Sequence, residues 1–99
     1  MTFEWDEGKN QLNIGKHGLD LADGEELFNG RLPLLVAPDT AEEYGEDRWI
    51  GIGTINGRVV VVIFTERGPD AIRLISLRKA NQEEKRRYEE VLKDELGQG

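Results

Sequence analysis

Asn56-Gly57 constrains this chain more than any other pair of neighbours. It separates two strand-like runs, Arg48–Ile55 and Arg58–Glu66. Between such runs, Asn-Gly specifies a two-residue type I′ turn, because both turn positions need positive φ. The second run contains Val59–Phe64, which is continuously apolar and mostly β-branched. A strand with apolar residues on both faces belongs in the middle of a sheet. Gly68-Pro69-Asp70 marks the next turn, and Ala71–Leu77 is expected to pair back as a further strand. Leu32–Ala37 is a short apolar run containing a proline, which suits an edge strand. Pro38–Glu46 reads as an acidic loop.

Helix signals bracket this β region. Thr2–Trp5 reads as a short edge strand, followed by Asp6 as an N-cap and Glu7 complementing the helix dipole. The helix should run to about Lys16, weakened by Gly8 and Gly15, with Gly18 as its C′ stop. Asp20 caps a second helix that buries Leu21, Leu27 and Phe28 and ends at Asn29-Gly30. Asn81-Gln82-Glu83-Glu84 has capping-box spacing and starts the last helix. Tyr88, Val91, Leu92 and Leu96 give that helix one packed stripe, and the chain is expected to fray at Gly97–Gly99. The expected fold is α+β: a short N-terminal strand and two helices, then a four-stranded antiparallel meander and a C-terminal helix. No repeat, low-complexity tract or linker divides the 99 residues, so residues 1–99 are read as a single domain.

There are no cysteines, which excludes disulfides and thiolate metal sites. One histidine cannot make a typical zinc site, and no metal or other cofactor is expected. The chain shows no signal-peptide pattern and no apolar stretch long enough to span a membrane, so the cytoplasm is the expected location.

Net charge is −7, which argues against simple nucleic-acid binding. The distribution softens that objection. Residues 1–66 carry −8, residues 67–88 carry +4 and residues 89–99 carry −3. The basic segment includes Arg73-Leu74-Ile75-Ser76-Leu77-Arg78-Lys79-Ala80, followed by the helix bearing Lys85, Arg86, Arg87 and Tyr88. Period-2 alternation puts Arg73 and Ile75 on one strand face and leaves Leu74 for the core. Cations clustered on an acidic protein point to an anionic ligand, phosphate above all. Simple exposure, or pairing with acids such as Glu66, is the competing account of these arginines. A small-molecule phosphate site lacks its usual Gly-rich loop at a helix start.

Phe3-Glu4-Trp5-Asp6, Lys9, Asn13, Lys16-His17-Gly18, Glu26 with Phe28, Asp47-Arg48, Ile52-Gly53, Thr65-Glu66-Arg67, Ile72-Arg73, Ile75-Ser76, Arg78-Lys79-Ala80, Glu84 and Tyr88 stand in a characteristic order and spacing. Together they resemble the BrnT toxins of type II toxin–antitoxin systems. The resemblance covers roughly residues 3–90. It departs from the family where Glu7 and Gly8 follow Trp5-Asp6 in place of a frequent proline, and where Gly15 replaces a frequent basic residue.

The resemblance implies a RelE-like fold and metal-independent cleavage of RNA, neutralised by a BrnA-like antitoxin. Operator DNA would be bound only through the toxin–antitoxin complex. Such cleavage needs a base for the ribose 2′-OH, cations for the phosphorane and an acid for the leaving 5′ oxygen. The candidate catalytic residues are Arg67, Arg73, Arg78, His17 and Tyr88, with Lys16, Lys79 and Arg86 as candidate phosphate contacts. Alternatives stand beside several of them. His17 and Lys16 also suit a helix end. Tyr88 also suits packed core, and Lys85-Arg86-Arg87 also suits a solvated helix face partly compensated by Glu83 and Glu84. Trp5 and Trp49 could stack on bases but fit core packing better, and Phe3, Phe28 and Phe64 read as core. The alternative function is a partner-binding scaffold of the same fold with little or no nuclease activity.

Overall fold

The computed structural model describes residues 1–96. The side chain of Leu96 and the expected fraying at Gly97–Gly99 lie outside that description. Five strands run in the order β1 (Thr2–Glu4), β2 (Leu35–Pro38), β3 (Trp49–Ile55), β4 (Arg58–Arg67) and β5 (Ala71–Lys79). Two α-helices, α1 (Glu7–His17) and α2 (Gln82–Leu96), and a 3-10 helix (Leu21–Phe28) complete the described elements.

The strands form one sheet in the spatial order β1-β5-β4-β3-β2. β2 to β5 pair antiparallel in sequence, while β1 joins the free edge of β5 in parallel. The sheet is therefore five-stranded and mixed, which corrects the expectation of a four-stranded antiparallel sheet. A three-residue strand carries too little alternation to reveal which edge it joins. The expected second helix is a 3-10 helix, capped by the Asp20 carboxylate, which accepts from Ala22 N. The turn between β3 and β4 is as the sequence requires, with Asn56 at φ 50° and Gly57 at φ 76°.

The central strand carries core on both faces. Val60, Val61 and Val62 are fully buried. Val60 and Val62 belong to the larger cluster with Leu21, Leu27, Phe64, Leu74 and Leu77, which the 3-10 helix covers. Val61 belongs to the opposite cluster with Ile52 and Tyr88, which α2 covers. Burial of each valine contributes about 1.5–3 kcal/mol. Gly53 lets the 3-10 helix approach β3, since a Cβ there would lie 2.7 Å from Leu27 Cδ2.

One irregularity decides where the cations point. Ile63 pairs with Ser76 but Phe64 pairs with Leu74, so Ile75 is an extra, bulged residue on β5. Arg78 follows Arg73 by five positions, an odd offset that in a regular strand would put them on opposite faces. The bulge resets the alternation. Arg73 lies opposite Thr65 and Arg78 opposite Val61, and both project on the α2 side of the sheet.

Candidate functional site

α1 is held by polar bonds rather than by an apolar stripe. Its Leu12 is 74% exposed, whereas Asn10 and Asn13 are buried. β1 stops pairing at Glu4, so the outer edge of β5 beyond Arg73 needs other partners. Asn13 supplies them. Its Nδ2 donates to Leu77 O at 2.9 Å, and its Oδ1 accepts from Leu77 N at 3.2 Å. The carboxamide thus does what the backbone of a neighbouring strand would do. Asn13 Nδ2 also donates to Leu19 O, and Asn10 bridges Leu21 N and the Asp20 carboxylate. Those donations, from Asn10 first and Ala22 N second, lower the Asp20 pKa.

The Asn13 clamp fixes the next helical turn, which carries Lys16 and His17 and ends at Gly18 with φ 70°. This places His17 beside the end of β5. Burial first, then the positive charges of Lys16 and Arg78, hold the imidazole below its ordinary pKa of 6.5. His17 is therefore mostly neutral at pH 7 and able to accept a proton. Among the described residues, neither Lys16, His17 nor Lys79 has an acidic side chain within ion-pair distance.

Arg78 is fixed from the other side. Its Nη1 and Nη2 donate to Glu84 Oε1 and Oε2 at 2.8 and 2.9 Å, and Nη1 also donates to Lys79 O. Glu84 simultaneously accepts from Asn81 N, while Asn81 Oδ1 accepts from Glu84 N, the reciprocal capping box of α2. The bonds to Arg78 are the main cause of a lowered Glu84 pKa, and the same bonds raise that of Arg78. The fork leaves donors on Nε and Nη2 for a ligand.

The two ends of β5 differ. Arg67 and Arg73 do not join His17; they meet at the start of β5, where both approach Glu4 Oε1, at 4.0 and 3.2 Å. Arg67 also reaches Glu46 at 3.2 Å, and Arg48 lies on the same side. Tyr88 is not at the surface. It is 1% exposed and its hydroxyl donates to Pro33 O at 2.8 Å, so its place among the catalytic candidates is corrected to a core anchor one helical turn after Glu84. Arg86 is exposed two residues after Glu84, which on a helix turns it away from Arg78. Trp5 and Trp49 pack against the larger core.

Asn13, Glu84 and Arg48 did not enter the candidate set from the sequence. From the sequence they stood only among the residues of the BrnT resemblance, with Glu84 also at the end of the capping box. Among the described residues, no three His, Asp or Glu side chains gather as metal ligands, and no helix is long and apolar enough to cross a membrane.

Residues 5–84 match the family model described as the ribonuclease toxin BrnT of type II toxin–antitoxin systems. The chain belongs to the BrnT family. It is also similar to the 1.1 Å crystal structure of the Brucella abortus ribonuclease toxin BrnT, with 42% identity and a TM-score of 0.66 over 83% of this chain and 99% of that one. No curated protein matches. The BrnT match spans the Asn13 clamp, the His17 turn and all of β5, and ends at Glu84, the partner of Arg78.

Proposed function

We propose that this BrnT-family chain is a RelE-like, metal-independent endoribonuclease toxin, folded as one domain and acting in the cytoplasm. The observation that carries the proposal is an imidazole whose pKa is lowered by burial and by the charges of Lys16 and Arg78, with the Arg78 guanidinium fixed by Glu84. His17 takes the proton of the ribose 2′-OH. Arg78, with Lys16 and Lys79, stabilises the charge on the phosphorane as the 2′ oxygen attacks phosphorus. The 5′ oxygen leaves with a proton returned by Lys16 or by the imidazolium formed at His17. The products are a 2′,3′-cyclic phosphate and a 5′-OH. Arg67 and Arg73 act at a distance from this centre, along the same strand.

The family description implies an antitoxin. We take it to be BrnA-like, to cover the basic end of β5, and to provide the contacts of the complex with operator DNA. The test is incubation of wild type and Arg78→Ala with RNA in excess chelator, followed by analysis of product ends. Cleavage by wild type alone, leaving cyclic-phosphate ends, supports the proposal. Inhibition by chelator sinks its metal-free chemistry. One observation favours the scaffold reading instead: the Arg78 fork is already occupied by Glu84. No cleavage by folded wild type would establish that reading.

A further inference from the structure

A cleft of about 150 Å³ opens where β1 gives way to α1, at the far end of β5 from His17. Lys9, Arg48, Arg67 and Arg73 line it, together with Asp6 and Glu46. Arg48 is stacked over the Tyr44 ring, its guanidinium carbon 4.0 Å from the ring centroid. Its Nε lies 3.5 Å from Glu46 Oε2, within ion-pair range, yet this atom is buried and makes no hydrogen bond. An ion pair of that length does not satisfy an N–H donor, and a buried donor left without an acceptor is uncommon in a native protein. The acids that face Arg67 and Arg73 hold them in partly exposed pairs, at 3.2 Å for Arg67–Glu46 and Arg73–Glu4. Glu46 lies on the loop between β2 and β3, and Glu4 is about half exposed and 4.0 Å from Arg67 Nε. Exposed pairs of this kind are weak and yield to a better acceptor.

We infer that this cleft is a phosphate subsite for the RNA strand, distinct from the cleaving centre, in which Arg48, Arg67 and Arg73 grip one phosphodiester and Glu46 swings aside. Arginine suits the task because its fork matches the oxygens of phosphate. The volume is sufficient for a phosphate group. Arg73 and Arg78 lie opposite Thr65 and Val61 on the regular strand β4, which puts them roughly 13 Å apart at strand rise. A strand bound at both places has to be several nucleotides long. The inference rests on the RNA reading of the preceding section, and it names which of the arginines bind rather than react.

The experiment uses a 2′-O-methyl RNA hexamer, which lacks the attacking hydroxyl and is not cleaved. Its affinity is measured against salt for wild type, Arg67→Gln and Glu46→Gln, with circular dichroism to check folding. Arg67→Gln should weaken binding several-fold and reduce the slope of log affinity against log salt by about 0.7, the value for one lost contact on a single strand. Glu46→Gln should tighten binding several-fold. In ¹⁵N-labelled protein the Arg48 Nε–H resonance should shift as the hexamer is added. An unchanged salt slope in Arg67→Gln, or a silent Arg48 Nε–H at saturation, overturns the subsite. The two readings fail separately. Wild type that cleaves natural RNA but shows no Arg67 dependence keeps the nuclease and loses the subsite. Arg67-dependent binding without cleavage keeps the subsite and loses the nuclease.

Discussion

The two ends of β5 carry similar side chains in opposite electrostatic states. At its start, Arg67 and Arg73 share Glu4, and Arg67 also pairs with Glu46. At its end, Glu84 holds Arg78, but Lys16, His17 and Lys79 have no acidic partner among the described residues. Counting cations along the sequence cannot separate these cases. What separates them is which element faces each end: acidic β1 and the acidic loop at one, the basic turn of α1 at the other. Charge that is left over marks where an anion gains most.

The largest effect should therefore come from the far end. Arg78→Ala should cost RNA cleavage about 10²–10³-fold, the usual loss of a group that stabilises developing charge. Arg73→Ala should act mainly through substrate affinity. Single-turnover kinetics with saturating RNA separates the two. Equal loss from both substitutions would erase the distinction between the ends.

Second in size is the clamp that builds the basic end. Asn13→Ala leaves the N–H and carbonyl of Leu77 without their side-chain partner. A buried unsatisfied group costs about 1–3 kcal/mol, so denaturant midpoints should fall accordingly. Leu12→Ala, one residue earlier and exposed, should stay within about 0.5 kcal/mol of wild type. If Leu12→Ala were the more damaging, α1 would be held by apolar packing after all.

This contrast also explains what the sequence disclosed. Asn56-Gly57 and Val59–Phe64 fixed the β3–β4 hairpin and the central strand, because turn chemistry and apolar runs act locally. Asp6, Gly18, Asp20 and the Asn81–Glu84 box act locally too, and each caps a helical segment as expected. Three things did not show: the parallel pairing of β1, the Ile75 bulge and the use of Asn13 as a strand partner. Each depends on a backbone approached from far along the chain. The candidate residues at the end of β5 were legible as residue types, but their separation from Arg67 and Arg73 was not. It follows from where the bulge and the clamp fall.

A third prediction concerns the residue that moved from the site to the core. Tyr88→Phe removes the hydrogen bond to Pro33 O and should cost about 0.5–1.5 kcal/mol in stability. Cleavage at a temperature well below unfolding should be unchanged. A drop in the cleavage rate without a drop in stability would return the phenol to the chemistry.

The smallest effect is the most direct probe of the basic end. The chain has one histidine, so its ring protons titrate without overlap in NMR spectra. The His17 pKa should lie below 6.5 in wild type. Lys16→Gln should raise it more than Arg78→Gln, because Lys16 is the larger of the two charge effects and Glu84 offsets part of the Arg78 field. The sign carries over to stability. A base whose folded pKa is depressed contributes stability that is present above its unfolded pKa, near 6.5, and is lost as pH falls through the folded value. His17→Gln should flatten that part of the stability profile. It should also remove the rise in cleavage with pH over the same window, which a neutral imidazole acting as base requires. A His17 pKa at or above 6.5 would mean that Lys16 and Arg78 do not press on the ring, and that the end of β5 lacks the juxtaposition on which the proposed chemistry depends.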